Sequence, residues 1–179
     1  MTIDNRRELS GAPGGWWEAF EEHESAEVIR QCTPNACGPA CAEMLFRARG
    51  IFSVSQQEVI SVQGSNWSNE ESLSAAMNQI GARIGIRDSG RWLGAWVDSL
   101  DGAEDSFNYL LKSLPYITSL KSFNSESHMV VVDGLDDEGR VVIRDPYEGT
   151  TYIMSRHAFC DVWQGMTIWW SGEYGHENP

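Results

Sequence analysis

Gln31 stands six residues ahead of Cys37, which is followed at once by Gly38, Pro39 and Ala40. About ninety residues later His128 opens the run His128-Met129-Val130-Val131-Val132, and Asp145 closes another run just before Pro146. An amide, a thiol, an imidazole and a carboxylate are the groups that thiol-dependent hydrolysis needs. A thiol attacks a carbonyl only as thiolate, and a free one keeps most of its proton at neutral pH, so its surroundings have to lower its pKa. An imidazole in hydrogen-bond reach takes that proton and later returns it to the leaving group. A carboxylate can fix the imidazole's tautomer. The Gln31 side-chain amide, beside the backbone N–H of Cys37, is suited to donating to an oxyanion.

The elements around these residues are legible. Gly38-Pro39 and the good helix formers that follow, through Arg47, read as the first turn and body of a helix. Cys37 then sits at the helix N-terminus, where unpaired amides and the dipole favour a negative sulfur. Cys41, one turn further on, is expected to pack inward. Residues 128–134 and 140–145 read as two strands joined by the turn Asp136-Asp137-Glu138-Gly139. If Asp136 pairs with Gly139, His128 lies opposite Tyr147 and Asp145 is one same-face step away. Such diagonal neighbours are roughly 7 Å apart, within reach of a carboxylate and an imidazole. Asp133 is the rival carboxylate, but its odd offset from His128 points it to the other face. A bulge in the hairpin would break this parity.

On Gln31, Cys37-Gly38-Pro39-Ala40, His128 opening a valine-rich strand and Asp145-Pro146, the chain resembles the papain-like cysteine peptidases. Within them it resembles the peptidase domain that removes double-glycine leaders from bacteriocins during export. The resemblance covers residues 28–170. It implies an α+β, papain-like fold: a helical half carrying Cys37 packs on an antiparallel sheet half carrying His128 and Asp145, with a substrate cleft between. It also implies peptide-bond cleavage through a thioester, after small residues of the Gly-Gly type, with no cofactor. Bacteriocin exporters carry transmembrane and nucleotide-binding domains after the peptidase, and the 179 residues of this chain include no such segment. The expectation is a free-standing peptidase that acts in peptide maturation or as an antibacterial effector toxin. Its partners would be a protein or peptide substrate and a cognate inhibitor or immunity protein. Two alternatives stay open: glutamine deamidation or another acyl transfer by the same triad, and a catalytically inactive binding module.

Composition limits the alternatives. The 179 residues carry a net charge of −13, and the 13 Lys and Arg are scattered, which argues against nucleic acid as a partner. No stretch is long and apolar enough for a membrane span, and the N-terminus has no apolar signal core, so the chain is expected to be cytoplasmic as synthesised, with secretion or delivery into a target cell following. The four cysteines include no C-x2-C pair and no closely spaced histidines accompany them, so no metal site is expected. A disulfide from Cys32 to Cys41 or Cys160 would require an oxidising compartment.

Elsewhere, helices are expected over 16–29, over 55–62 with Ser55 as cap, over 70–80 ended by Gly81, and over 104–113. Residues 115–120 read as the first strand of the sheet half. Strands at 150–154 and 166–170 extend it, with a short helix over 156–163 between them. Trp67, Trp92 and Trp96 are candidates for lining a peptide groove, with core packing the alternative for each. Glu8 and Leu9 precede Gly14-Gly15 as in a double-glycine leader, so Gly14 and Gly15 are a candidate site of self-cleavage; Asp4 stands where a further upstream hydrophobic residue is expected. The domain plan is a flexible segment over 1–15, one peptidase domain over 16–172, and a tail over 173–179.

Overall fold

The computed structural model describes residues 7–8, 17–86, 90–97, 103–122 and 127–172. Its strands are Arg7–Glu8 (β1), Glu18–Glu24 (β2), Trp92–Trp96 (β3), Tyr116–Leu120 (β4), His128–Leu135 (β5), Val141–Asp145 (β6), Thr150–Met154 (β7) and Trp163–Trp170 (β8). They form an antiparallel sheet in the order β1-β2-β7-β6-β5-β4-β8-β3. The helices are Cys37–Ala48 (α1), Gln56–Gln63 (α2), Glu70–Ile84 (α3), Ala103–Leu110 (α4, continued by a 3-10 turn at Leu111–Ser113) and Arg156–Val162 (α5). Strand β5 shows why the sheet is buried on both faces. Met129 and Val131 meet Met44, Leu45 and Phe46 of α1 in one apolar layer, whereas Val130 and Val132 join Phe107 of α4 and Phe159 of α5 in another. Successive side chains of a strand point to opposite faces, so a strand apolar at every position serves two cores. The fold is α+β and papain-like, with α1 to α3 laid on the antiparallel sheet.

The register of β5 against β6 decides where Asp145 points. Val131 lies opposite Arg144 and Val132 opposite Ile143, the register expected from the sequence, but it is reached by a different route. The turn is one residue longer than expected: the Asp136 N–H donates to the carbonyl of Arg140 (2.9 Å), and Asp136 Oδ1 accepts from the amides of Glu138 (3.0 Å) and Arg140 (2.8 Å). Near the turn Leu135 therefore faces Val141 and Gly134 faces Val142, one step out. A bulge between Val132 and Gly134 absorbs the extra residue, and Gly134 adopts φ +150°, which favours glycine. The two offsets cancel. Asp133 is engaged elsewhere: both of its carboxylate oxygens take the Arg144 guanidinium, at 2.6 and 2.7 Å.

Three expectations are corrected. Residues 16–29 do not form a helix: Glu18–Glu24 is a strand paired with β7, its buried Ala19 set between exposed Glu18 and half-buried Phe20. The helix-favouring Glu and Ala residues there are overridden by pairing at the sheet's edge. Gly81 does not end α3. It is an interior position where an added Cβ would stand 3.2 Å from Ile86 Cδ1, and the helix runs to Gly85, whose φ of +77° forms the left-handed cap. The first sheet strand is not at 115–120, because β2 and β3 precede it; Gly94 allows β3 to approach the Glu70 carbonyl at the start of α3. The helix capped by Ser55 appears at Gln56–Gln63, the short helix expected over 156–163 runs Arg156–Val162 with Ser155 as its cap, and β8 begins at Trp163 rather than 166. No helix among the described residues is long and apolar enough to cross a membrane.

Candidate active site

Helix α1 starts at Cys37, with Ala36 as an N-cap that makes no side-chain hydrogen bond and with no acidic residue in the first turn. The helix N-terminus is thus left to the sulfur, with no carboxylate of its own competing for it. Burial acts to push the Cys37 thiol up. The hydrogen bond and charge of His128, with the backbone amides of Met129 and Gly38, outweigh it, and the pKa is lowered. For His128 burial acts downward, but the charge and hydrogen bond of Asp145 and then those of Cys37 raise its pKa to about 10. The two shifts run in opposite directions for one reason: each partner stabilises the other's charged form. The pair therefore titrates as a unit, the thiol drawn down and the imidazole drawn up together.

Asp145 orients the ring. His128 Nε2 lies 2.8 Å from Asp145 Oδ1, both side chains being buried, so Nδ1 is the nitrogen left to meet the sulfur. The same Oδ1 accepts from the Tyr147 amide (2.9 Å), and Oδ2 accepts from the Tyr152 hydroxyl (3.1 Å). Burial, followed by the charge of Asp145, holds the Tyr152 phenol well above its usual pKa, so it stays a donor. The Tyr147 ring meets the imidazole edge-on, at 6.3 Å between centroids and 88°. Tyr152 was not singled out from the sequence. Its signal lay in the next hairpin, where Tyr152 pairs with Ile143, two residues from Asp145 on the same face.

Gly38 is required by packing. A Cβ there would stand 2.7 Å from Ser68 Oγ and 2.8 Å from Met129 Sδ. Met129 is held in turn by both thiols of α1: its amide donates to Cys37, and its carbonyl accepts from Cys41 Sγ at 3.4 Å. Cys41 is fully buried, and burial holds its thiol well above the ordinary value, which suits an inert donor.

Gln31 is close to this centre in the chain but differently engaged. Its Nε2 donates to the carbonyls of Thr33 and Pro34, both at 2.9 Å, so both amide protons are spent within its own loop. The tryptophans divide. Trp92 is 2% exposed and packs edge-on against Trp170 and Phe46, which removes it as a groove residue. Trp67 and Trp96 are 63% and 54% exposed. Trp67 immediately precedes Ser68, the residue that crowds Gly38, and its carbonyl is tied to Gln63 at 2.6 Å. Gly14 and Gly15 lie outside the described residues.

Comparisons with known proteins give the family of the chain and the likeness of its fold. The model of the Peptidase_C39-like family matches residues 23–168. A protein of Escherichia coli O1:K1:H7, named cysteine protease effector 1, is 34% identical over 163 residues, which make up 90% of this chain but 30% of that protein's length. Two crystal structures are of ComA peptidase domains, the first from a Streptococcus bi-functional ABC transporter involved in quorum sensing. That domain is 18% identical, with a TM-score of 0.60 over 81% of this chain and 97% of its own. The second, from Streptococcus mutans, is 16% identical, with a TM-score of 0.53 over 81% and 98%. At such identities the two structures speak for the fold alone.

Proposed function

Because the chain belongs to the Peptidase_C39-like family and is therefore a cysteine peptidase, we propose that Cys37, His128 and Asp145 are its catalytic triad and Gln31 its oxyanion donor. The observation that carries this reading is the buried 2.8 Å bond from His128 Nε2 to Asp145, which leaves the other ring nitrogen for the sulfur. The Cys37 thiolate adds to the scissile carbonyl, and the oxyanion is met by the Cys37 N–H and by Gln31 Nε2 once it leaves its loop carbonyls. As the carbonyl reforms, the C–N bond breaks and imidazolium gives its proton to the departing amine. The neutral imidazole then takes a proton from water, hydroxide attacks the thioester, and the second product leaves as the thiol pair is restored.

Cleavage after Gly-Gly is the specificity we favour. Crowding of Gly38 by Ser68 and Met129 supports a narrow approach to the sulfur, and glycine presents no side chain to such a cleft. Exposed Trp67 beside Ser68, and Trp96, are the groove residues of this reading, and the peptidase unit spans 16–172. The word effector in the name of the Escherichia coli relative supports an effector delivered to a target cell, although this chain corresponds to under a third of that relative; a cognate immunity protein is part of the same proposal.

Intact-mass spectrometry of the protein and of a bacterial lysate incubated with it tests the proposal, with Cys37→Ala as control. Fragments ending in glycine, made only by the wild type, are expected. Shifts of about one dalton without fragments would replace peptidase action by deamidation. A fragment whose new end is Gly15 would establish self-cleavage.

A further inference from the structure

Gln31 is gripped through the peptide groups on either side of it. Gln56, the first residue of α2, accepts the Cys32 N–H at Oε1 (2.8 Å) and donates from Nε2 to the Arg30 carbonyl (2.9 Å). Its side-chain amide thus pairs with this stretch of backbone as a neighbouring strand would. Behind it stands Glu43 of α1, whose Oε2 accepts the Gln56 N–H (2.8 Å) while Oε1 takes the Arg47 guanidinium (2.7 Å). Glu43 and Gln56 are 5% and 6% exposed. Buried polar groups cost free energy unless fully paired, and apolar residues of similar size would join α1 to α2 without that cost. On the opposite flank the Gln31 N–H donates to the Pro146 carbonyl (2.7 Å), one residue beyond Asp145. The backbone around Gln31 is therefore tied to α2 through Gln56, by way of Glu43 to the helix that carries Cys37, and through the Gln31 N–H to the residue after Asp145.

From this we infer that Gln56, backed by Glu43, is a positioning residue for the oxyanion step. It fixes the backbone of Gln31 relative to Cys37, so that rotation of one side chain brings Nε2 from the Thr33 and Pro34 carbonyls to the developing oxyanion. The inference rests on the reading of Gln31 as oxyanion donor.

Two small reagents separate this role from general support, without knowledge of the natural substrate. With p-nitrophenyl acetate the thiolate sulfur bonds to the acetyl carbon, an oxyanion forms, and p-nitrophenolate leaves with the electron pair of the broken C–O bond. With iodoacetamide the sulfur displaces iodide from a saturated carbon, and no oxyanion arises. Gln56→Met, which keeps the length and loses both hydrogen bonds, is expected to lower the acylation rate of Cys37 about tenfold and leave its alkylation rate unchanged. Gln31→Ala should lower acylation similarly, and the double variant should fall no further than Gln31→Ala alone. If Gln31→Ala acylates normally, the oxyanion reading fails and the inference with it. If Gln31→Ala is slow but Gln56→Met is normal, the inference alone is overturned. A loss shared equally by acylation and alkylation, or two losses that multiply in the double variant, also overturns it. Should Gln56→Met not fold, Gln56→Leu, which also removes both hydrogen bonds but adds no charge beside Glu43, is judged by the same ratio.

Discussion

The two loops that border Cys37 are tied down in opposite ways. At the β6–β7 turn the Asp145 side chain itself is pinned: its oxygens accept from His128, the Tyr147 amide and the Tyr152 hydroxyl. In the loop before α1 the backbone is pinned instead, by Gln56 and Pro146, while the Gln31 amide spends its protons on its own neighbours. The difference teaches how such a centre divides its preparation. In the proposed mechanism the acid–base groups act from the first step, so their geometry is complete at rest. An oxyanion exists only during reaction, and its donor can wait on a loop already in place.

The largest test of this contrast breaks the completed side. Asp145→Asn is expected to lower kcat/KM by roughly a hundredfold or more, since the imidazole loses both its orienting acceptor and its counter-charge. The sign of the pH effect follows from the shifts. Asp145 raises the His128 pKa to about 10, so the wild-type rate falls on the alkaline side only near that pH. In the variant the imidazolium deprotonates at lower pH, and the thiol, which His128 holds down, moves back up, so the active plateau narrows from both sides. A kcat/KM profile that keeps its alkaline limb near 10 would remove Asp145 from that role.

On the waiting side, Gln31→Ala should reduce kcat about tenfold and leave both limbs of the pH profile in place, because Gln31 touches neither titrating group. A shift of either limb would mean that the two loops are not separate devices. The smallest effect is expected for Tyr152→Phe, which removes one of three donors to a buried carboxylate. Thermal or urea unfolding should show a loss of about 1–3 kcal/mol, with activity falling only a few-fold, since the His128 bond remains.

Legibility in the sequence divides along similar lines. The nucleophile helix and the two strands of the β5–β6 hairpin were readable because each depends on residues close in the chain: a Gly-Pro start, a run of valines, a polar turn; the facing of Asp145 agrees with expectation only because a longer turn and a bulge cancel. Strand β2 was not, because Glu18 to Glu24 is locally helix-like and becomes a strand only through β7, more than a hundred residues later. Trp92 looked like a groove residue because nothing beside it in sequence announces Trp170 and Phe46 as its neighbours. The grip of Gln56 on the Gln31 loop joins residues over twenty positions apart and has no periodic signature at all.

The bulge at Asp133 bears on which insertions and deletions this protein can survive. Exposed hairpin turns ordinarily gain and lose residues freely. Here the three-residue connection and the bulge offset each other, and only together do they keep Asp145 on the face of His128. Removing one residue from 137–139 would swing Asp145 to the opposite face of β6, while removing one there and one at the bulge would bring it back. The turn is thereby fixed in length, and homologues with a shorter turn should lack the bulge as well.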